Sequence, residues 1–351
     1  MAAVDSFELL FREISKVFSS YRDAFALIGA YYVAKRSLTF ASYVGDVLYV
    51  HLYSRFAQEE DLRQKYGSWA VVTGSSDGIG RAYARQLAQR GMNIVLLSRD
   101  EKKLMHAAQD IVAEHGVEVE YICVDFAADA KDELYNTIWT ALAGKEIGVL
   151  VNNVGVMYDF PQYFLDVSEK KLWQLIFINV ATATIMTHMV LPQMVKRKRG
   201  AVVNVSSGSC SQITPQMTVY AATKSYLDYF SQALEYEYRD HGITVQCLMP
   251  FYVATRMTRY SETLSKTSFF IPNAETFAQS AVRTLGFSTR TTGYFPHTMQ
   301  SWITALCPEW LWKMAASRVN SSLRQHAIVR RERHRAMHGS VSTQSMSDEF
   351  S

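Results

Sequence analysis

The sequence predicts a doubly wound α/β fold, a parallel sheet covered by helices on both faces, as a single domain behind an N-terminal hydrophobic extension. Three observations predict it: short β-branched runs alternate with helical stretches from Ser68 onward, the first strand-to-helix junction is rich in glycine, and the strands are apolar throughout. The 351 residues are 48% hydrophobic and 20% charged, which is apolar material for one large core. A net charge of +3 without a basic, aromatic-interleaved stripe argues against a nucleic-acid partner. Cys123, Cys210, Cys247 and Cys307 are isolated from one another. That spacing fits neither a metal site nor a disulfide framework, and they read as buried or partly buried thiols in a reducing compartment.

Residues 1–66 read as a membrane-associating or targeting extension. Two apolar runs, "AFALIGAYYVA" from Ala24 and "SLTFASYVGDVLYVHLY" from Ser37, are split by Lys35 and Arg36, and Asp46 interrupts the second. A membrane span wants about 20 mostly uncharged residues, so neither run meets that length alone. The segment can lie on a membrane with its basic residues and Arg55 at the headgroups, or form two helices packed on the domain or a second subunit. The acidic start, with Asp5, Glu8 and Glu13, fits neither a secretory signal nor an ordinary mitochondrial transit peptide.

The elements of the domain, residues 67–320, follow in order. "SWAVVTG" is the first strand, and the helix after it, Ile79 to Arg90, stops at Gly91. "MNIVLLSR" is the second strand; Asp100 then caps a helix whose Leu104, Ala107, Ala108 and Ile111 share one face. "VEVEYICVDF", a helix around Glu133 to Leu142, and "IGVLVNNVG" come next. A long helical stretch from about Ser168 to Lys198 is closed by Gly200, and "AVVNVSS", a helix with Tyr220 and Lys224, and "ITVQCLMP" complete the sheet. Residues 321–351, a basic run and then a Ser-rich tail, have little to bury and read as disordered.

The chemistry gathers at the strand ends. "TGSSDGIG" carries Gly74, Gly78 and Gly80 where a backbone must approach a pyrophosphate and a helix start offers free amides, as in a Rossmann-type dinucleotide site. Arg99, after the second strand, can pair with a ribose phosphate, which favours NADP over NAD; the neighbouring Asp100 is explained by its capping role. Asp125, after the third strand, can accept from an adenine amino group or serve as a plain turn residue. Tyr220 and Lys224 stand one helical turn apart. An unperturbed tyrosine has a pKa of ~10, and a nearby ammonium would draw it toward neutrality, making the pair an acid and its tuning cation; the alternative is an ordinary helix face.

"TGSSDGIG", "NNVG" from Asn152, Asn179 in "FINV", Ser207 in "NVSSGS" and the Tyr220/Lys224 pair together resemble the short-chain dehydrogenase/reductase family over about Trp69 to Thr255. "PFYVATRM" departs from that family's usual Pro-Gly by placing Phe251 in the glycine's place, which is similar to the membrane-associated 17β-hydroxysteroid dehydrogenase and 3-ketoacyl-CoA reductase branch. The resemblance implies an NADP(H)-dependent oxidoreductase that reduces a carbonyl, or oxidises a hydroxyl, of an apolar substrate such as a steroid or fatty-acyl chain. It implies that Ser207 binds the substrate oxygen, Tyr220 is the general acid, Lys224 also holds the nicotinamide ribose, and Asn179 anchors a water. It places Gly74, Ser75, Ser76, Asp77, Gly78, Ile79, Gly80, Arg99, Asp125, Asn152, Val253 and Thr255 at the cofactor. Relatives with phenylalanine at the tyrosine position are regarded as inactive, whereas this chain keeps Tyr220. The alternative activity is a catalytically inactive cofactor-binding scaffold or sensor. The resemblance further implies a mitochondrial location, with the endoplasmic reticulum membrane as the alternative, a membrane partner, and a homodimer as one form of assembly.

Overall fold

The structure, a computed structural model, describes residues 2–56, 61–128 and 131–347. The chain divides into two compact units, Met1–Tyr53 and Ser54–Ser351. In the first, a single helix α1 (Ala2–Leu48) runs through both apolar runs and ends in a π turn at Tyr49–Tyr53. Lys35 and Arg36 interrupt the composition without breaking the helix, and Arg36 Nε donates to the Tyr32 hydroxyl one turn earlier at 3.1 Å. Its apolar side chains, Phe11, Phe18, Phe25 and Tyr31 among them, are exposed.

The second unit is built on a seven-stranded, all-parallel sheet in the order β3-β2-β1-β4-β5-β6-β7. Its strands are β1 (Trp69–Thr73), β2 (Asn93–Ser98), β3 (Val119–Cys123), β4 (Ile147–Asn152), β5 (Gly200–Val205), β6 (Ile243–Leu248) and β7 (Arg290–Thr291). Helices α2 (Gly78–Gln89), α3 (Glu101–His115), α4 (Lys131–Leu142), α5 (Glu169–Ile176), α6 (Thr182–Arg197) and α7 (Thr218–Tyr238) alternate with them. Alternate strand residues point to opposite faces, so Ala70, Ile94 and Val203 join one core with Tyr83, Leu87 and Phe277, while Val71, Val95 and Val202 join the other with Ile138, Met186 and Leu234. Burial on both faces is why the strands read as continuous apolar runs. Truncating Leu87 to Ala would cost about 2–5 kcal/mol.

Residues 61–66 fold with this unit, although the sequence groups them with the extension. Asp61 caps a short helix, Leu62–Lys65, by accepting from Arg63 N at 2.9 Å, and Leu62 and Tyr66 are buried in the core beside α2. Among the described residues, the one helical stretch long and apolar enough to cross a membrane is Glu169–Arg197, and half of its apolar window is buried. Of the four thiols, Cys247 is buried and Cys210 and Cys307 partly so, whereas Cys123, at the edge strand, is exposed.

Beyond β6 the chain adds α8 (Ala274–Arg283), α9 (Phe295–Leu306) and α10 (Glu309–Ser347). The tail predicted to be disordered is helical in α10 as far as the described residues go. Its arginines find partners on the domain: Arg324 reaches Asp166 and Arg331 reaches Asp159, each at 2.8 Å. Residues 348–351 lie outside the described residues.

Candidate active site

A cleft of about 500 Å³ opens at the carboxyl ends of β1, β2, β3 and β4, lined by Gly74, Gly78, Arg99, Asp125, Asn153 and Thr255 among others. This is where an open parallel sheet reverses its strand order and takes ligands. The turn after β1 is shaped by backbone crowding. Gly74 sits at φ +66, and a Cβ there would lie 2.9 Å from Val154 Cα; at Gly80 a Cβ would collide with the Gly74 carbonyl and the Asn153 amide. Only glycine lets α2 begin this close to the turn.

The rest of the turn is tied down by its own side chains. Asp77 caps α2 by accepting from Gly78 N at 2.8 Å, Ser76 Oγ meets Ser98 Oγ at 2.8 Å, and Ser75 Oγ donates to Leu97 O at 3.4 Å. Ile79 lines the cleft. The exposed Arg99 guanidinium makes no hydrogen bond or ion pair among the described residues. Asp125 caps its turn through Ala127 N at 2.9 Å while facing the cleft. Thr255 lines the far wall, and the buried Val253 accepts from Thr258 Oγ1 at 3.3 Å.

Asn152, predicted at the cofactor, does not line the cleft. It is buried, and its amide donates to Asn204 Oδ1 at 2.8 Å and Thr187 Oγ1 at 3.0 Å, joining β4 to β5 and α6. The side chains of a β-strand alternate, so its neighbour Asn153 takes the cleft position. Asn153 Nδ2 donates to Thr73 O at 3.0 Å and Gly74 O at 3.2 Å, and Thr73 Oγ1 accepts from the amides of Asn153 and Val154. The doubled asparagine in "NNVG" was the available signal; only the register distinguishes the two.

Tyr220 lies in the first turn of α7. The residue before that helix offers no side-chain cap, and the buried Tyr158 hydroxyl supplies one by accepting from Val219 N at 3.1 Å. Two turns further on, Asp228 is held by both prongs of Arg290 at 2.8 and 2.9 Å. Ser207 precedes a tight 3-10 turn, Gly208–Cys210; its Oγ accepts from Ser209 N at 3.2 Å and from Ser209 Oγ at 3.0 Å and lies near enough to the Tyr220 phenol to act on its proton. Gly208 is required because a Cβ there would meet the Phe251 ring at 2.8 Å. Phe251 is held in turn by its amide, which donates to Nδ1 of the fully buried His297 at 3.3 Å.

Lys224 and Asn179 close the site. A π turn, Phe177–Ala181, interrupts the helical stretch that the sequence reads as continuous, and it carries Asn179. Both amide hydrogens of Asn179 are used, on Val156 O at 2.9 Å and Thr223 Oγ1 at 3.0 Å, and Oδ1 accepts from Val156 N at 2.8 Å. A Cβ on Gly155 would lie 3.4 Å from both Asn179 Oδ1 and Lys224 Nζ, so this cleft-lining glycine leaves them access.

The tuning expected of Lys224 does not hold in this geometry. Its ammonium donates to Val205 O at 2.9 Å and sits 5.9 Å from the Tyr220 ring centroid. Both groups are removed from water, so burial dominates: it pushes the Tyr220 phenol up to about 12 against the opposing pull of the nearby Ser207 hydroxyl, and Lys224 down to about 8. Tyr252 and Tyr260 stand close enough to Tyr220 to raise it further or to be raised by it. Both lie in a loop with no periodicity, which left them without a sequence signal.

Residues 68–265 match the family model for short chain dehydrogenases. The chain is 49% identical to human "Inactive hydroxysteroid dehydrogenase-like protein 1" over 328 residues, covering 93% of this chain and 99% of the relative. It is 44% identical to the Macaca fascicularis "Very-long-chain 3-oxoacyl-CoA reductase" over 265 residues, 75% and 82% of the two chains. Among solved structures, the short-chain dehydrogenase from Sphingobium yanoikuyae in complex with NADPH aligns with a TM-score of 0.55 and 29% identity, covering 61% of this chain and 82% of that one. The protein belongs to the short-chain dehydrogenase family, an oxidoreductase family in which solved structures carry NADPH or NADP. Within it, the chain is similar along nearly its whole length to the hydroxysteroid dehydrogenase-like proteins.

Proposed function

We propose that this protein is an NADP(H)-dependent reductase of an apolar carbonyl, such as a steroid ketone or a long-chain 3-oxoacyl thioester. The observation that carries it is the buried Tyr220 phenol near Ser207, with Lys224 and Asn179 meeting at Gly155 beside the cleft. Bound nicotinamide supplies the hydride. Ser207 holds the carbonyl oxygen, and Tyr220, protonated up to high pH by its burial, donates the proton to it. Lys224, with Val205 O as its present partner, is placed to turn toward a ribose hydroxyl across Gly155.

Arg99 makes the cofactor NADP, because its unpaired guanidinium is a planar donor matched to a phosphate. The glycine turn with its Cβ-intolerant positions fits the pyrophosphate. Helix α1 attaches the protein to a membrane: its apolar residues favour no single face, as in a helix surrounded by hydrocarbon or protein. The mitochondrion is the proposed location, and a homodimer the proposed form of assembly. A second reading, a catalytically inactive scaffold that binds the cofactor, is favoured by the word "inactive" in the relative's name and by the mere 8% exposure of Tyr220. Purified protein with NADPH, assayed against steroid ketones, retinal and 3-oxoacyl thioesters, should oxidise NADPH with at least one of them. NADPH binding without oxidation across the panel favours the scaffold.

A further inference from the structure

Arg256 follows Thr255 directly in "PFYVATRM", and its guanidinium lies at the glycine turn. The loop that carries it is stiff and packed on that turn. Thr255 caps a 3-10 turn, Arg256–Thr258, in a reciprocal capping box, and Thr255 N donates to the Thr258 hydroxyl at 3.1 Å. Thr258 is buried and also donates to Val253 O, at 3.3 Å. Gly78, the first residue of α2, sits at φ +59, and a Cβ on it would lie 3.5 Å from Thr255 Cγ2. The loop and the turn therefore meet, and Gly74, Gly78, Thr255 and Arg256 all line the cleft.

Asp77 joins the loop to the turn. Its Oδ1 accepts from Gly78 N at 2.8 Å, and its Oδ2 faces Arg256 Nη1 at 3.8 Å. The second distance marks an ion pair too long for a hydrogen bond, and the two side chains are about half exposed, Arg256 at 52% and Asp77 at 42%. Such a pair holds weakly: it fixes where the guanidinium stands without taking up its donors. Arg81, the next cation along α2, is committed to Asp110 at 2.5 Å. An anion laid on the turn meets the free amides at the start of α2 and one carboxylate of its own sign, Asp77. Arg256 offsets that carboxylate, and its planar, paired donors match a phosphate better than they match the distant Asp77 oxygen.

We propose that Arg256 binds the diphosphate of the cofactor by exchanging partners: paired with Asp77 in the free protein, it turns to the diphosphate when the cofactor lies on the glycine turn. The inference rests on the cofactor part of the reading above and not on turnover. It divides the work of two arginines, Arg99 taking the ribose phosphate that distinguishes NADPH from NADH and Arg256 the diphosphate that the two share.

The test is isothermal titration calorimetry of the full-length protein with NADPH, NADH and ADP-ribose, the last of which keeps the diphosphate and lacks the nicotinamide. Arg256→Gln should weaken all three by a similar factor, about tenfold, the scale of one charge-assisted contact, and Arg256→Lys by less. Asp77→Asn keeps a capping side chain for α2 and removes the competing charge, so it should tighten all three about threefold. Unchanged affinities in Arg256→Gln overturn the assignment, and so does a loss confined to NADPH, which would move Arg256 to the ribose phosphate. Weaker binding in Asp77→Asn overturns the exchange, because the pair would then be a fixture of the site. A wild type that binds none of the three ligands overturns the assignment together with the proposed cofactor. A wild type that binds NADPH with the expected Arg256 dependence and reduces nothing leaves the assignment standing and rejects the reductase reading alone.

Discussion

The glycine turn at the cleft is made largely of backbone, whereas the segment that leads from Ser207 to Tyr220 is held by side chains from distant parts of the chain. Gly74, Gly78 and Gly80 sit within seven residues, and their neighbours along β1 and β4 fix the turn through Thr73 and Asn153. On the substrate side, the segment between Ser207 and Tyr220 is held from about a hundred residues away. Gln212 donates to Thr304 O of α9 at 3.1 Å, and Trp312 to Ile213 O at 3.0 Å. Asn320 donates to Pro215 O, and Gln216 to Ser321 Oγ, each at 2.8 Å. Gln216 takes a left-handed φ of +65, a conformation that for a non-glycine residue needs such support. The difference teaches that the glycine turn is a local property of the sequence, while the position of Tyr220, the proposed acid, depends on the C-terminal helix.

Substitutions on the two sides should therefore have separable effects. The largest is expected at Gly80. Gly80→Val drives a branched side chain into the Gly74 carbonyl, and NADPH binding, followed by nicotinamide fluorescence, should fall at least ~100-fold, the scale of 3 kcal/mol of overpacking. Retained affinity would show that the turn yields, and the contrast between rigid and supported sides would fail.

Lys224 tests burial next. Its folded pKa of about 8 lies below the ordinary 10.5, so the folded state holds the proton less tightly than the unfolded chain. The cost is complete below pH 8 and disappears as pH rises toward 10.5, so stability should climb through that window by roughly 2–3 kcal/mol. Urea unfolding of the wild type at pH 7.5 and pH 9.5 should show part of that rise, and Lys224→Met should remove it. An equal rise in the variant would assign the effect to other groups.

A smaller effect is expected at Arg99. Arg99→Leu should weaken NADPH about tenfold, the scale of one charge-assisted contact, and leave NADH within a factor of two. Equal losses for both cofactors would remove the ribose phosphate from Arg99. The smallest is expected at the C-terminal support: Asn320→Ala should change KM or kcat for the carbonyl substrate by no more than about fivefold without altering NADPH affinity, since it removes one neutral hydrogen bond of about 1 kcal/mol. A loss of NADPH affinity there would join the two sides into one unit.

The same division governs what was legible in the sequence. The strands, α2, the glycine turn, Arg99, and the Tyr220 and Lys224 spacing are local patterns, and each lies where its pattern places it. Choosing between Asn152 and Asn153 needed the strand register, which no short motif carries. Tyr158, Tyr252 and Tyr260 act through tertiary contacts, so nothing in their own neighbourhoods marks them. The sequence reads residues 321–351 as disordered because their charge suggests solvation, whereas the described part is helical and the partners of Arg324 and Arg331 lie more than 150 residues earlier. The expected pull of Lys224 on Tyr220 gave way to desolvation, which a spacing of four residues does not reveal.

The central claim is that Tyr220 is a working proton donor. The most direct measurement is the single-turnover rate of NADPH oxidation by wild type and Tyr220→Phe, on the best substrate of the ketone and thioester panel and with both proteins saturated with cofactor. The phenylalanine variant should bind NADPH as the wild type does, since the Tyr220 hydroxyl makes no hydrogen bond to the glycine turn, and its rate should fall at least ~100-fold, the scale of a lost general acid. Equal rates for the two proteins, or a wild type that binds NADPH and reduces nothing, would contradict it.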